Sequence, residues 1–157
     1  MSKPYDFREQ LDIGKRGEEK LDSFFSAKGI EIQCVNRFDE RRGIDRIFRK
    51  DGREHTIEYK TDEKTQHTGN VFVETISNNQ TGALGWAVKG LADCVIYYAV
   101  GIEEAAIIRS EELRAKIAEW FFAYPTRAVK NRGYMTYGIL VPWEEFKKAA
   151  DTVIKFD

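Results

Sequence analysis

The sequence contains only two cysteines, Cys34 and Cys94, and they stand far apart. A disulfide framework or a zinc module needs more, so both are excluded, and a reducing cytoplasm is the expected setting. Histidine is as scarce. His55 and His67 have no partner at metal-ligand spacing, which argues against a zinc site and against histidine-based hydrolysis. Long apolar runs are missing too: the longest, Cys94 to Val100, has seven residues where a membrane span needs roughly 18. The opening Met-Ser-Lys-Pro-Tyr-Asp lacks the hydrophobic middle of a signal peptide, so a soluble cytoplasmic protein is expected. Neither charge sign dominates, with 25 Lys and Arg against 26 Asp and Glu. A histone-like basic coat and a polyacidic tail are both excluded. There are three prolines, no Pro- or Ser-rich linker and no repeat, so residues 1–157 are expected to form a single domain. An apolar fraction of 42% supplies its core.

Several catalytic plans are absent as well. No Gly-x-x-x-x-Gly-Lys-Ser/Thr loop is present to cradle a nucleotide phosphate, and no Gly-x-Ser-x-Gly elbow or Cys-Gly-x-Cys pattern points to acyl transfer.

What is present reads as alternating elements. Phe7 to Lys28 has Leu21, Phe24 and Phe25 at helical spacing and ends at Gly29. Gly14 and Gly17 each cost that helix about 1 kcal/mol relative to Ala, which predicts an irregular or closely packed first half. A strand is expected over Ile30 to Phe38. Gly43–Lys50 and Arg53–Thr61 flank Asp51-Gly52, a strong hairpin signal. Val71–Ile76 reads as a strand, Ser77–Gly82 as a loop and Ala83–Leu91 as a short helix. The apolar run Asp93–Val100 suits a strand buried on both faces, with Ala105–Arg109 returning beside it across the Gly101-Ile102-Glu103 turn. Ser110 is expected to cap a helix running to about Ala123. Tyr134–Val141 reads as the last strand, and Pro142 opens a helix carrying Trp143, Phe146 and Lys147. The order predicts a mixed α/β or α+β domain.

The hairpin carries the chemistry, because its turn sets its register. A two-residue Asp51-Gly52 turn pairs Lys50 with Arg53, and following the ladder inward pairs Asp45 with Glu58. Directly opposed residues have Cβ atoms about 4.5–5.5 Å apart, so two carboxylates there repel. Lys60 lies two residues beyond Glu58, on the same face. Ile44, Ile47 and Ile57 supply apolar cover nearby. A divalent cation resolves the repulsion, and two hard carboxylates suit Mg²⁺ with water and phosphate oxygens completing its shell. The Lys60 ammonium is then placed to orient or deprotonate a water or to stabilise charge on phosphorus.

Asp45 followed by Glu58-Tyr59-Lys60 resembles the signature of the PD-(D/E)xK nucleases on adjacent strands. Gly14-Lys15-Arg16-Gly17-Glu18 is similar to the Gly-x-x-Gly-Glu element that many members carry in their first helix. The pattern departs at Ile44, where the family name has Pro. The resemblance covers roughly residues 10 to 100. It implies a restriction-endonuclease-like core, a central mixed β-sheet flanked by helices. By the same resemblance Asp45 and Glu58 bind Mg²⁺ (with Mn²⁺ able to substitute), Glu18 completes the shell, the Tyr59 carbonyl adds a ligand, and Lys60 assists the water. The implied activity is metal-dependent hydrolysis of DNA. Such small nucleases often act as homodimers. The rival expectation is an inactive descendant of the fold that binds nucleic acid or a protein.

Residues expected to meet nucleic acid are Glu74 on the next strand, Asn78, Trp86 and Lys89 after it, and Arg41 and Arg42 before Asp45. The balanced net charge is segregated: Arg37–Arg53 holds seven basic residues and four acids, and Thr126–Gly133 holds three basic residues and no acid. That distribution suits a nucleic-acid partner better than the total does.

Overall fold

A computed structural model describes residues 7–157. A long helix, α1 (Phe7–Ala27), leads into a strand, β1 (Glu31–Cys34). The chain then departs from the expected long strand. Asn36 accepts the Asp39 N–H on its side-chain oxygen at 2.9 Å and starts a short helix, α2 (Arg37–Arg41). Asparagine is a strong N-cap, which explains the break. The hairpin follows as β2 (Arg46–Lys50) and β3 (Arg53–Asp62), with Lys50 opposite Arg53 and Arg46 opposite Ile57. This is the register that the Asp-Gly turn dictates.

A single helical turn, α3 (Thr65–Thr68), leads to β4 (Asn70–Asn78). That strand extends into the stretch expected to be a loop. The expected helix over 83–91 divides into β5 (Ala83–Leu84) and α4 (Trp86–Lys89), with Gly85 between them. Next come β6 (Cys94–Ala99) and β7 (Glu104–Arg109), paired antiparallel as expected. Helix α5 (Ser110–Ala123) begins one residue early. Arg109 occupies the cap position and Ser110 is inside the helix, making no capping bond. The strand β8 (Thr126–Lys130) was not evident, because its largely exposed face offers no apolar alternation. It pairs with β9 (Met135–Pro142). After α6 (Trp143–Ala149), a final strand β10 (Thr152–Lys155) closes the chain, so β9 is not the last.

The strands form two sheets. The larger runs β1-β2-β3-β6-β7-β10, mixed because β3 and β6 are parallel and the other neighbours antiparallel. The smaller runs β5-β4-β9-β8. β6 is buried on both faces and feeds two cores. Ile96 and Tyr98 join Leu21 and Phe25 of α1, while Val95, Tyr97 and Ala99 join Val71, Ile139, Trp120 and Phe146 from the smaller sheet, α5 and α6. The larger sheet is thus a partition with α1 on one side and the smaller sheet on the other.

Gly17 sets how closely α1 approaches that partition. A Cβ there would lie 2.3 Å from Thr61 Oγ1 on β3. The expectation of close packing holds at Gly17, whereas a Cβ on Gly14 meets nothing within 4 Å. No helix among the described residues is long and apolar enough to cross a membrane.

Candidate active site

Strand periodicity splits β3 between the two cores. Ile57 and Tyr59 face α1, so Glu58 and Lys60 face the other way, beside Val95 and Tyr97 of β6. Asp45 sits just before β2, and its N–H donates at 2.8 Å to the carbonyl of Ile57, the residue already opposite Arg46, so the ladder stops there and the expected direct opposition of Asp45 and Glu58 is not formed. Its Oδ2 accepts the Tyr59 N–H at 2.8 Å. Asp45 is thereby locked against the strand that carries Glu58 and Lys60.

Glu58 is 5% exposed. Its Oε1 lies 3.3 Å from Lys60 Nζ, while its buried Oε2 has no hydrogen-bond partner. Burial pushes the Glu58 carboxyl up. Lys60 opposes that shift, the Asp45 charge adds to it, and Lys89 opposes it from farther off. Burial also raises Asp45, against the Tyr59 N–H, Lys60 and Arg46. An oxygen that is desolvated, unpaired and next to a second carboxylate is a costly arrangement. A divalent cation between these oxygens removes that cost, so the donor set fits a hard metal ion.

Two glycines make room for this carboxylate. A Cβ at Gly90 would stand 2.9 Å from Glu58 Oε2, and one at Gly43, whose φ is +81°, would stand 3.4 Å from it. Neither glycine was singled out by sequence; an acid two residues after Gly43 was the only local hint.

Glu18 approaches from the α1 side. It pairs with Arg46 Nη2 at 3.6 Å, and burial raises its carboxyl, with Arg46 opposing and Asp45 adding. Arg46 also escaped notice. It binds both Asp22 carboxylate oxygens at 3.2 Å and the Asp45 carbonyl at 3.0 Å, tying α1 to the start of β2. Tyr59 turns its ring toward α1 and donates its hydroxyl to Asp22 at 2.8 Å. Among the described residues, no three His, Cys, Asp or Glu side chains come together as a metal-holding group. Asp45 and Glu58 influence each other through charge, and Glu18 is held by Arg46.

A chamber of about 450 Å³ opens over Glu58 and Lys60, and Arg41, Glu74, Trp86 and Lys89 line it. Lys60 Nζ lies 5.8 Å from the centre of the Trp86 ring, whose other contacts include Tyr97 at 6.0 Å. Trp86 is thus half core and half wall. Burial raises the Glu74 carboxyl, with Lys60 the leading opposing charge. Two expected contacts are occupied elsewhere. Arg42 pairs with Asp39 at 3.6 Å, and the Asn78 side-chain oxygen accepts the N–H groups of Gln80 and Thr81 in the following turn. The basic stretches meet only in part: Arg41 lines this chamber, and Arg127 lines an adjoining one that shares Lys60, Glu74 and Trp86.

Neither protein-family models nor curated protein sequences give a match to this chain. Among solved structures it is similar to a bacterial homing endonuclease, I-Ssp6803I. The TM-score is 0.51 at 15% identity, over 66% of this chain and 70% of that one. The chain has a restriction-endonuclease-like fold. In this fold the central mixed sheet carries Glu58 and Lys60 on β3, with Asp45 at the entry to β2 bonded to the Tyr59 N–H between them.

Proposed function

We propose that the chain is a metal-dependent nuclease that hydrolyses DNA phosphodiester bonds. The observation that carries the reading is the unpaired, buried Glu58 Oε2 beside Asp45 and Lys60, on a nuclease-like fold. Asp45 and Glu58 would hold the ion, with the Tyr59 carbonyl and Glu18 as further ligands. A Mg²⁺ or Mn²⁺ ion supplies charge for the phosphoryl oxygens and acidifies a bound water. Lys60 brings a fixed ammonium to the mouth of the chamber, 3.3 Å from Glu58 Oε1, where it neutralises a phosphate oxygen or orients the attacking water. Arg41 and Lys89 add positive charge along the rim, and Trp86 offers a ring for stacking. Glu74 lines the same space and would accept a hydrogen bond from a water there.

The test is cleavage of plasmid, linear, single-stranded and four-way-junction DNA by the purified protein. Cleavage is expected only with a divalent cation, and Glu58→Ala and Lys60→Ala are each expected to abolish it. Undiminished cleavage by both variants overturns the proposal. One observation favours a second reading, a module that binds nucleic acid without cutting it: no three His, Cys, Asp or Glu side chains gather as a metal-holding group among the described residues. DNA binding without cleavage, and without any thermal response to Mn²⁺, supports that alternative.

A further inference from the structure

On the far side of Gly90 from Glu58 lies a separate chamber of about 630 Å³. Gly90 is the shared wall, since its carbonyl accepts Arg114 Nη1 at 3.1 Å while its Cα faces Glu58 Oε2. Lys89 borders both chambers.

The N-terminus of α5, a 14-residue helix, opens into this second space. The cap residue, Arg109, offers no side-chain hydrogen bond to the first turn. The Ser110 N–H is taken by the Asp93 carbonyl at 2.9 Å. The Ser110 hydroxyl is not taken: the residue is 4% exposed, it lines the chamber, and its Oγ has no partner. A buried hydroxyl left unpaired costs stability, and the start of a helix adds free N–H groups and partial positive charge. Both features call for an acceptor carrying negative charge.

The charged groups around the chamber agree. Lys89 and Arg114 have no carboxylate partner among the described residues, whereas Arg109 is paired with Glu112 at 3.2 Å and Asp151 at 3.3 Å. Of the acids lining the space, Asp93 accepts the Thr56 N–H at 2.9 Å, and Glu111 lies exposed in the first turn of α5. Lys89 and Arg114 thus face two acids, Asp93 and Glu111, and the helix end and the free hydroxyl tip the balance toward an acceptor.

We propose that this chamber binds a phosphate group of a nucleic-acid strand, with Ser110 Oγ and the first-turn N–H groups donating to it and Arg114 and Lys89 supplying charge. Phosphates recur about every 3.4 Å of axis along one strand. Lys89, which borders both chambers, links the two along one strand. The proposal rests on the phosphodiester reading of the neighbouring site for that strand, although phosphate binding itself requires no cleavage. The phosphate is either the terminal group of a strand or an internal diester.

The test uses the full chain in a chelating buffer, so that no cutting occurs. Melting is followed as inorganic phosphate replaces chloride at constant ionic strength. Affinity is then measured for a short single-stranded oligonucleotide bearing either a 5′-phosphate or a 5′-hydroxyl. The wild type is expected to melt higher with phosphate, and Ser110→Ala and Arg114→Gln to lose most of that response. Arg114→Gln is expected to bind oligonucleotide about tenfold more weakly, as befits a lost charge-assisted hydrogen bond. A loss confined to the 5′-phosphorylated strand assigns the site to a terminal phosphate, and an equal loss for both strands assigns it to an internal diester. Wild-type phosphate response and wild-type affinities in both variants overturn the proposal. The nuclease reading fails separately, by persistent cleavage in Glu58→Ala and Lys60→Ala.

Discussion

Glu58 turns its unpaired carboxylate oxygen toward Gly90, so closely that a methyl group on that glycine would stand 2.9 Å from it. Gly90 has a φ of −58°, which alanine adopts without strain. Gly90→Ala therefore crowds the Glu58 carboxylate first and, at 3.2 Å, the Trp86 carbonyl. Metal-dependent cleavage is expected to fall by on the order of a hundredfold, the usual cost of displacing a reacting group by about an ångström. Melting is expected to change little, which calorimetry checks on the same preparation.

The Asp45–Glu58 pair predicts a thermal response to cations. Mn²⁺ at a hundredfold excess over its dissociation constant is expected to stabilise the native protein by about 2.7 kcal/mol, and Asp45→Ala to remove the effect. A melting series in Mn²⁺ with both proteins decides this. An unchanged wild-type midpoint counts against the metal site.

The two glycines of α1 are predicted to respond with opposite signs. Gly17→Ala drives a methyl group into Thr61, and overpacking of this kind costs about 1–3 kcal/mol. Gly14→Ala meets no neighbour within 4 Å and gains about 1 kcal/mol from helix propensity. Urea unfolding of the two variants measures both. Equal shifts would show that Gly17 does not set the approach of α1 to β3.

Glu103 predicts a pH dependence. Its carboxyl is held down at about 2, first by the Lys20 ammonium, then by the Tyr98 hydroxyl and the Gly101 N–H. The ordinary value is 4.5. A depressed carboxyl stabilises the fold above its unfolded value, and that stabilisation is lost as pH falls through its folded one. Glu103→Gln is therefore expected to be less stable than wild type above pH 4.5, by about 1 kcal/mol after discounting for the solvent that screens this half-exposed pair. The deficit is expected to vanish toward pH 2, as followed by denaturation across that range.

The β2–β3 hairpin is legible from sequence because a local signal, Asp51-Gly52, fixes its register from Lys50–Arg53 to Arg46–Ile57, whereas Asp45 leaves that register and bonds the Tyr59 N–H instead of standing opposite Glu58. The paired strands β6 and β7 were legible for the same reason, joined by a short turn across an apolar run. What escaped was non-local or weakly apolar. β8 is a largely exposed edge strand, and β10 buries only Ile154 strongly. Asn36 was read as part of a strand pattern when its side chain was ending one. Ser110 has the pattern of a cap, serine before Glu111 and Glu112, yet it lies inside the helix with its buried hydroxyl unpartnered. Gly43 and Gly90 matter only through their distance to Glu58, which no local pattern encodes.

The parallel seam between β3 and β6 governs when the site is assembled. Glu58 and Lys60 sit opposite Val95 and Tyr97, residues that reach them only after the whole of β4, β5 and α4 has been threaded between. Closing so large a loop makes this a late, slow contact in folding. The hairpin of β2 and β3 forms early and brings Asp45 beside Glu58, but the wall at Gly90 and the floor at Tyr97 arrive only with the seam. A chain in which only the hairpin has formed thus leaves Glu58 open to solvent, because its burial needs the pairing of β3 with β6.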